Sequence, residues 1–260
     1  MHGNGSFARR LRLRRLYGHR SSGLLVVPLD HAVGAGPMAH QGTLDGLLAR
    51  LADVGTDAVV LHKGAVRRVR PDRFRTMSLI LHLNASTNLA ADPDAKYPVA
   101  TVAEALRLGA EAVSVHVNLG SATEARQIAH LAATAEQCDR WGMPLLAMMY
   151  VRGPAVTAAR DPEQVAHAVA VAAELGADLV KTALPDDPVA IARITAACSV
   201  PVLAAGGTGG DVLARLEAAL RAGAGGVAAG RVVFTAAEPG AVAGRLADLV
   251  HGGRTPVVTR

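Results

Sequence analysis

The segment Leu175-Gly176-Ala177-Asp178-Leu179-Val180-Lys181-Thr182 carries the pattern that decides the fold of this 260-residue chain. Gly176 suits the left-handed backbone turn that commonly ends a helix, and a short apolar run follows it at once. Similar joints recur at residues 54–58, 108–112 and 222–226, each with glycine in the second position. A joint that repeats in this way indicates alternating helices and strands, that is, a series of βα units.

Eight short apolar runs supply the strands of these units. They cover residues 24–29, 58–62, 79–83, 112–117, 145–150, 179–182, 200–204 and 227–230. Helical patterns fall between most of them, and Thr101 and Asp161 are of the types that cap helix starts. Eight consecutive units predict an α/β protein, a single-domain (β/α)8 TIM barrel. An open doubly wound sheet is the alternative, but the turn at residues 30–34 lacks the glycine-rich dinucleotide fingerprint.

The expected division of the chain is a basic N-terminal segment (residues 1–22), a (β/α)8 barrel domain (residues 23–251) and a C-terminal tail (residues 252–260). Half of the residues are hydrophobic and only 3% are aromatic, so the expected core is aliphatic, as in parallel strands buried on both faces. No run approaches the ~20 apolar residues of a membrane span. We therefore expect a soluble, cytoplasmic protein with no membrane partner.

The net charge of +5 includes arginines concentrated in residues 9–20 and 67–75. A solvated surface explains these arginines most simply, and attraction of an anionic substrate is the second explanation. The basic residues lack interleaved aromatics and a recognisable binding motif. We therefore expect no nucleic-acid partner.

Three reactive side chains fall at the carboxyl ends of the predicted strands, which form the active-site face of such a barrel. Lys181 ends the sixth run, where desolvation disfavours the ammonium form and leaves an amine that can attack ketones. Tyr150 ends the fifth run and can donate a proton, and Asp30 ends the first run and can exchange one. The structural alternatives are a lysine paired with Asp186 or Asp187, a tyrosine packed on the barrel mouth, and a turn aspartate.

Two glycine-containing turns follow the seventh and eighth runs, at Gly206-Gly207 and Gly230-Arg231. Backbone N–H groups at this place bind phosphate in many barrels, and an arginine adds a charged fork. Plain turn glycines are the structural alternative.

Four histidines form the main competing pattern, because one stands at the end of each of the first four runs: His31, His62, His82 and His116. Four imidazoles can hold zinc, which would imply a metal-dependent aldolase or hydrolase. The same residues also suit hydrogen bonding to other side chains, and no carboxylate-rich cluster accompanies them beyond Asp30. We therefore expect no metal.

Taken together, several strand-end segments resemble the archaeal-type class I fructose-bisphosphate aldolases. The resemblance runs from about residue 24 to residue 234 and is closest to the branch that makes amino-heptulosonates. That branch includes 2-amino-3,7-dideoxy-D-threo-hept-6-ulosonate synthase and an aldolase that joins dihydroxyacetone phosphate to aspartate semialdehyde in 3-amino-4-hydroxybenzoate biosynthesis. The segments are Val27-Pro28-Leu29-Asp30-His31, Val60-Leu61-His62-Lys63-Gly64, residues 81–87, residues 112–118, residues 144–150, Val180-Lys181-Thr182, Ala205-Gly206-Gly207 and Gly230-Arg231.

The resemblance implies roles for the candidate residues. Lys181 matches the Schiff-base lysine, Tyr150 the proton donor and Asp30 the proton acceptor. Substrate contacts are implied for His31, Ala32, Val33, Gly34 and Arg152, and phosphate contacts for Gly206, Gly207, Gly230 and Arg231. The implied enzyme is a class I aldolase, a homo-oligomer without metal or organic cofactor, that joins a ketose-phosphate enamine to aspartate semialdehyde. Its small-molecule partners are thus a phosphorylated ketose and an aldehyde acceptor, and its product belongs to aromatic or secondary-metabolite biosynthesis.

Some positions depart from the fructose-bisphosphate aldolases. Met148 stands where those enzymes place tryptophan, which favours the heptulosonate branch, and Thr208-Gly209-Gly210 replaces a Pro-Lys pair. A transaldolase-type 2-amino-3,7-dideoxy-D-threo-hept-6-ulosonate synthase is the first alternative, and a fructose-bisphosphate aldolase is the second. A catalytically idle barrel that binds a sugar phosphate and regulates a biosynthetic cluster is a further alternative from a different class.

Overall fold

Eight parallel strands close into a barrel, which confirms the predicted (β/α)8 class. The computed structural model describes residues 6–18, 23–37, 42–207 and 210–252. The barrel strands are β1 (Leu24–Pro28), β2 (Ala58–Leu61), β3 (Ser78–His82), β4 (Ala112–Leu119), β5 (Leu145–Val151), β6 (Leu179–Thr182), β7 (Val202–Ala205) and β8 (Gly226–Ala228). Each pairs in parallel with its neighbours along the chain, and β8 closes on β1. Residues 1–5, 19–22 and 253–260 of the predicted terminal segments, together with Thr208 and Gly209, lie outside the described residues.

Helices connect the strands and cover the outside of the barrel. They are α1 (Phe7–Leu16), α2 (His31–Ala35), α3 (Leu44–Asp53), α4 (Lys63–Val66), α5 (Val102–Arg107), α6 (Glu124–Trp141), α7 (Pro162–Glu174), α8 (Pro188–Ala197), α9 (Val212–Arg221), α10 (Arg231–Phe234) and α11 (Pro239–His251). The predicted caps are present: the side chains of Thr101 and Asp161 accept hydrogen bonds from Glu104 N (3.1 Å) and Gln164 N (3.0 Å). None of the helices in the described part of the chain is both long and apolar enough to cross a membrane.

An excursion between β3 and α5 was not indicated by the apolar runs. Residues 84–98, called the mouth loop below, begin and end in a short antiparallel pair formed by Asn84–Ala85 and Tyr97–Pro98. The pair follows β3 directly, so the loop rises from the carboxyl end of the barrel. No periodic pattern of useful length exists in two-residue strands, which is why the sequence does not reveal them.

The barrel interior is filled by every second residue of the strands. This inner core contains Leu24, Val26, Ala58, Val60, Ile80, Ala112, Leu146, Met148, Leu179, Leu203 and Ala228. The intervening residues, such as Val180, face outward and pack against the helices in a second cluster. Because side chains alternate between the two faces of a strand, this assignment also determines which residues face inward at the mouth.

The lower end of the barrel is covered by the arginine-rich helix α1. Leu16 is fully buried and joins the inner core from below. Arg9 pairs with Asp178, with Nε 2.9 Å from Oδ1 and Nη2 2.9 Å from Oδ2, and Arg15 Nη1 lies 3.2 Å from Glu111 Oε1. Both acids belong to the recurrent joints before the strands. Helix α1 therefore lies at the end of the barrel opposite the strand termini that carry the candidate site.

Replacing Arg9 with methionine should lower the free energy of unfolding by about 2 kcal/mol or more, because it leaves the buried Asp178 carboxylate without its partner. Burial already raises the pKa of Asp178, against the opposing effects of the Leu145 N–H and Arg9. Urea unfolding measures the change. Arg14→Met is the matched control, since Arg14 lies on the exposed face of the same helix. Equal stability of the two variants would contradict a structural role for the Arg9–Asp178 pair.

Candidate active site

Lys181 and Tyr150 face the interior of the barrel at its carboxyl-terminal mouth. Each follows an inner-core residue, Leu179 and Met148 respectively, by two positions. Lys181 is only 8% exposed, and its Nζ lies 5.9 Å from the centroid of the Tyr150 ring. The strands place Met148 opposite Lys181. The amine and the phenol therefore share one enclosed space, as the sequence predicts for two residues of a common site.

Asp186 and Asp187, the possible salt-bridge partners of Lys181, form contacts with other groups. Asp186 Oδ1 lies 2.8 Å from Arg160 Nη1. The carboxylate of Asp187 caps α8 by accepting hydrogen bonds from Val189 N (3.0 Å) and Ala190 N (3.2 Å). These contacts favour the chemical interpretation of Lys181 over the structural one.

Asp30 follows β1 at the same mouth, and basic groups surround its carboxylate. Oδ1 lies 3.6 Å from His31 Nδ1, and Oδ2 lies 3.6 Å from His82 Nε2. Burial alone would raise the pKa of Asp30, but at low pH the protonated forms of His82 and His31, together with Lys181, outweigh it and hold the pKa well below its usual range. Asp30 occupies the N-cap position of α2 without capping it, and its buried Oδ1 has no hydrogen-bond partner among the residues that the structure describes. Such a carboxylate is available to exchange protons with a bound molecule.

The histidines of the zinc alternative are held by other side chains. His82 Nδ1 shares a 2.7 Å hydrogen bond with Ser114 Oγ, and His116 Nε2 shares a 2.8 Å bond with Asn118 Oδ1. The rings of His62 and His82 meet edge to face, with centroids 5.2 Å apart. Within residues 6–18, 23–37, 42–207 and 210–252, no three His, Cys, Asp or Glu side chains are grouped so that they could hold a metal ion.

Burial keeps these imidazoles neutral near pH 7. It lowers the pKa of His82 to about 4, against the opposing charge of Asp30, and it lowers the pKa of His116 well below its usual value. Burial also lowers the pKa of His62 and His31, again against Asp30. Neutral rings can donate or accept hydrogen bonds at the mouth without adding positive charge there.

Stability should therefore fall as the pH is lowered from about 7 to 5. The unfolded chain protonates His82 near its ordinary pKa of about 6.5, whereas the folded chain does so only near 4, so acid favours unfolding across that window. We expect His82 alone to reduce the free energy of unfolding by about 2 kcal/mol at pH 5. Urea unfolding at both pH values tests this, and His82→Gln should show a correspondingly smaller pH dependence. An unchanged pH dependence in that variant would refute the assignment.

The two glycine turns lie side by side at the mouth, because β7 and β8 are neighbours. A Cβ on Gly206 would come within 2.8 Å of the Ala229 Cβ, and one on Gly230 within 2.3 Å of the Pro28 carbonyl oxygen. Gly207 has φ +65°, which side chains rarely tolerate. Close packing at Gly206 and Gly230, and the backbone conformation at Gly207, thus require glycine at this edge of the mouth.

Arginines surround this edge. Arg231 is the first residue of α10 and is exposed, and its charge helps to lower the pKa of His31 after the larger effect of burial. Arg160 Nη2 and Arg215 Nη2 lie 3.5 Å and 3.9 Å from the point that a Cβ on Gly207 would occupy. The sequence predicts only Arg231 here, because Arg160 and Arg215 come from other segments and converge only in the fold. The edge formed by β7 and β8 is consequently suited to a phosphate.

The remaining predicted contacts lie on the other sides of the mouth. His31, Ala32, Val33 and Gly34 form most of α2, with Val33 41% exposed, and the His31 ring packs against Phe234 with centroids 5.1 Å apart. Arg152 lies just after β5, and its Nε is 2.5 Å from Asp94 Oδ1 in the mouth loop. The sequence places only the start of this loop near the site, through the strand-end segment at residues 81–87, and gives no role to residues 88–98.

A TIM barrel with an inward lysine, a tyrosine and an aspartate at its mouth has the arrangement of an aldolase. The chain belongs to the DeoC/LacD family of aldolases, whose profile it matches over residues 24–236. It is 54% identical to the 2-amino-4,5-dihydroxy-6-oxo-7-(phosphonooxy)heptanoate synthase of Streptomyces griseus, over 97% of this chain and 93% of the synthase. It is 41% identical to 2-amino-3,7-dideoxy-D-threo-hept-6-ulosonate synthase 1 of Archaeoglobus fulgidus, over 88% of this chain and 86% of that enzyme.

A solved structure is similar along almost the whole chain. It is an archaeal fructose-1,6-bisphosphate aldolase whose catalytic lysine is covalently bound to the carbinolamine intermediate of its substrate. The TM-score is 0.83, with 30% sequence identity over 94% of this chain and all of the other. The predicted resemblance to amino-heptulosonate synthases and archaeal aldolases is confirmed.

Proposed function

We propose that this aldolase joins dihydroxyacetone phosphate to aspartate semialdehyde through a Schiff base on Lys181. The observation that carries the proposal is the 54% identity, over nearly the full length of both chains, to the Streptomyces griseus synthase. The structure also supports the proposal, because Lys181 lies beside Tyr150 at the mouth.

The product named for that synthase defines the two substrates. It is a seven-carbon acid with an amino group on carbon 2, hydroxyls on carbons 4 and 5, a ketone on carbon 6 and a phosphate on carbon 7. An aldol reaction forms the bond between the carbon next to the ketone and the carbon that bears the new hydroxyl, here carbons 5 and 4. Carbons 5–7 are then dihydroxyacetone phosphate, and carbons 1–4 are aspartate semialdehyde.

Lys181 supplies the electron sink for this reaction. Its amine adds to the ketone of the donor to give a carbinolamine, which loses water and becomes an iminium ion. Loss of a proton from the adjacent hydroxymethyl carbon gives an enamine, which attacks the aldehyde carbon of the acceptor. Water then releases the product and restores the amine. The atoms of both substrates remain in the product, so no oxidant or reductant is consumed.

Tyr150 and Asp30 move the protons of these steps. The alkoxide that forms on carbon 4 takes a proton from the Tyr150 phenol, which lies beside the amine. The proton lost from the hydroxymethyl carbon restores this phenol through water, so the proton balance closes. Asp30 exchanges protons with the carbinolamine, and its low pKa keeps it an acceptor at neutral pH. The phosphate of the donor binds at Gly206, Gly207, Gly230 and Arg231, next to strand β6. His31, Ala32, Val33 and Gly34 contact the substrate from α2.

The experiment that tests the proposal combines trapping with product analysis. Sodium borohydride and dihydroxyacetone phosphate should attach a three-carbon adduct to Lys181, and EDTA should leave activity unchanged. With aspartate semialdehyde, mass spectrometry should find the phosphorylated seven-carbon product. A 3,7-dideoxy product without phosphate, formed from a deoxyketohexose phosphate donor, would instead favour the transaldol reaction. EDTA-sensitive turnover without trapping would overturn the Schiff-base mechanism.

The proposal includes assembly into a homo-oligomer, which rests on the family resemblance alone. Light scattering of the purified protein tests it, and a monomer at assay concentrations would refute it.

A further inference from the structure

The direction in which the product must lie across the mouth follows from the proposed function. Carbon 6 is bonded to Lys181 on β6, and the phosphate on carbon 7 lies toward the glycine turns of β7 and β8. The other end of the molecule, with its carboxylate and amino group, must then extend away from β7 and β8. In the closed barrel this direction leads past Tyr150 on β5 to β4 and β3.

The mouth loop rises from that opposite side and is fixed across the opening. The Asn84 side chain exchanges two hydrogen bonds with the backbone of His116, at 2.8 Å and 2.9 Å. Asn118 Nδ2 donates a 2.8 Å bond to the Asp94 carbonyl, and Asn88 N donates a 2.8 Å bond to the Gly34 carbonyl in α2. The loop is thus joined both to β4 and to the predicted substrate-contacting segment.

Lys96 is held on the inner part of this loop. It lies one position before the Tyr97–Pro98 strand, just as Ser86 lies one position after Asn84–Ala85, so the two residues continue the antiparallel pair. Lys96 Nζ donates a hydrogen bond to Ser86 Oγ and lies 3.4 Å from the Pro93 carbonyl oxygen. Ser86 is only 6% exposed, and Lys96 itself is half-buried.

The charges beside Lys96 match an amino-acid head group. Arg152 adds a second cation. Asp94 adds an anion, with its Oδ1 2.5 Å from Arg152 Nε. An α-amino acid carries a carboxylate and an ammonium group on adjacent atoms, so a site that recognises it needs both signs close together.

We propose that Lys96 binds the carboxylate of the aldehyde acceptor and that the mouth loop thereby selects acceptors with an amino-acid end. Lys96 is a specificity residue in this assignment, and it takes no part in Schiff-base formation. The inference rests on the proposed function, because that function requires an acceptor with a carboxylate.

The electrostatics agree with this position. Burial is the largest effect that lowers the pKa of Lys96, followed by the charge of Arg152, whereas Asp94 and Asp30 raise it. Conversely, the charge of Lys96 contributes to the lowered pKa of His116 and His82, after the larger effect of burial. Lys96 is therefore electrostatically coupled to the groups that line the mouth, and a bound carboxylate would offset the positive charge it shares with Arg152.

The test compares three aldehydes with dihydroxyacetone phosphate as the donor: aspartate semialdehyde, succinate semialdehyde, which keeps the carboxylate but lacks the amino group, and butanal, which lacks both. In Lys96→Met we expect KM for the two carboxylated acceptors to rise about tenfold or more, because a charge-assisted contact is lost. KM for butanal should change less than about twofold, and Lys96→Arg should restore most of the affinity. Lys63→Met is the matched control, because Lys63 is exposed and pairs with Glu104 at 3.3 Å.

Borohydride trapping with the donor alone separates the possible failures. Wild-type protein that traps no donor would overturn the proposed function and this inference with it. Normal trapping in Lys96→Met together with equal KM changes for all three aldehydes, or with none, would overturn the inference alone. If Lys96→Met fails to fold, the wild-type protein still tests the proposal. We then expect the KM for succinate semialdehyde to be about tenfold or more below the KM for butanal. Equal KM values would refute recognition of the carboxylate.

Discussion

Replacing Lys181 with methionine is expected to lower kcat by ~10³-fold or more, because it removes the nucleophile on which the whole reaction depends. Methionine is of similar length and apolar, so it should fill the buried position below the mouth without leaving an unpaired charge. Borohydride should no longer attach the donor to the protein. The measurements are steady-state kinetics with both substrates and the mass of the intact protein after reduction.

The chain offers an unusually clear control for this experiment, because it contains only three lysines. Peptide mapping of the reduced wild-type protein should find the adduct on Lys181 and not on Lys63 or Lys96. Lys63→Met should trap the donor as the wild type does. Persistent trapping in Lys181→Met, with the adduct on another lysine, would contradict the assignment of the nucleophile.

Replacing Tyr150 with phenylalanine is expected to lower kcat for carbon–carbon bond formation by ~10²-fold or more, since the alkoxide loses its proton donor. The ring itself should remain in place, packed against His116 with centroids 4.9 Å apart. Trapping of the donor should therefore survive while turnover falls. Single-turnover measurements that follow adduct formation and product formation separately distinguish these steps.

Tyr17→Phe is the control for the tyrosine experiment. Tyr17 packs below the inner core, at the opposite end of the barrel, and its buried hydroxyl finds no hydrogen-bond partner in the described part of the chain. Its loss should leave both trapping and turnover unchanged. If Tyr150→Phe instead abolished trapping and left the later steps intact, the phenol would belong to formation of the Schiff base and not to protonation of the alkoxide.

The regular parts of the fold could be predicted because they repeat. A glycine joint followed by an apolar run recurs along the chain, and the helix starts at Thr101 and Asp161 carry their own capping side chains. Helix α8 is an exception. Asp187 is a recognisable capping residue at its start, but its apolar residues cannot be told by pattern from those of the strands before and after it. The short pair Asn84–Ala85 and Tyr97–Pro98 has too few residues for any periodicity.

Only part of the candidate site, like only part of the fold, could be predicted from the sequence. Lys181, Tyr150 and Asp30 stand at strand ends, so a prediction of the strands also predicts that they meet. No strand end marks the other residues of this region, because loops and neighbouring helices bring them to the mouth. These residues are Lys96, Asp94, Arg160 and Arg215. Sequence spacing carries no information about contacts of that kind.

By itself, the amino-acid sequence determined the barrel and the shared position of Lys181 and Tyr150 at the carboxyl-terminal ends of its strands. The physical reason is that the carboxyl ends of parallel strands meet at one face of a barrel, so locating the strands also locates the residues that end them. Because these strands are buried on both faces, the structure was needed to show which side chains face inward. Only the tertiary structure decided that the arginine-rich helix α1 covers the lower end of the barrel and that Lys96 is held against Ser86 in the mouth loop. Those positions depend on long-range pairs, Arg9 with Asp178 and Asn118 with the Asp94 carbonyl, which form only after the barrel has closed.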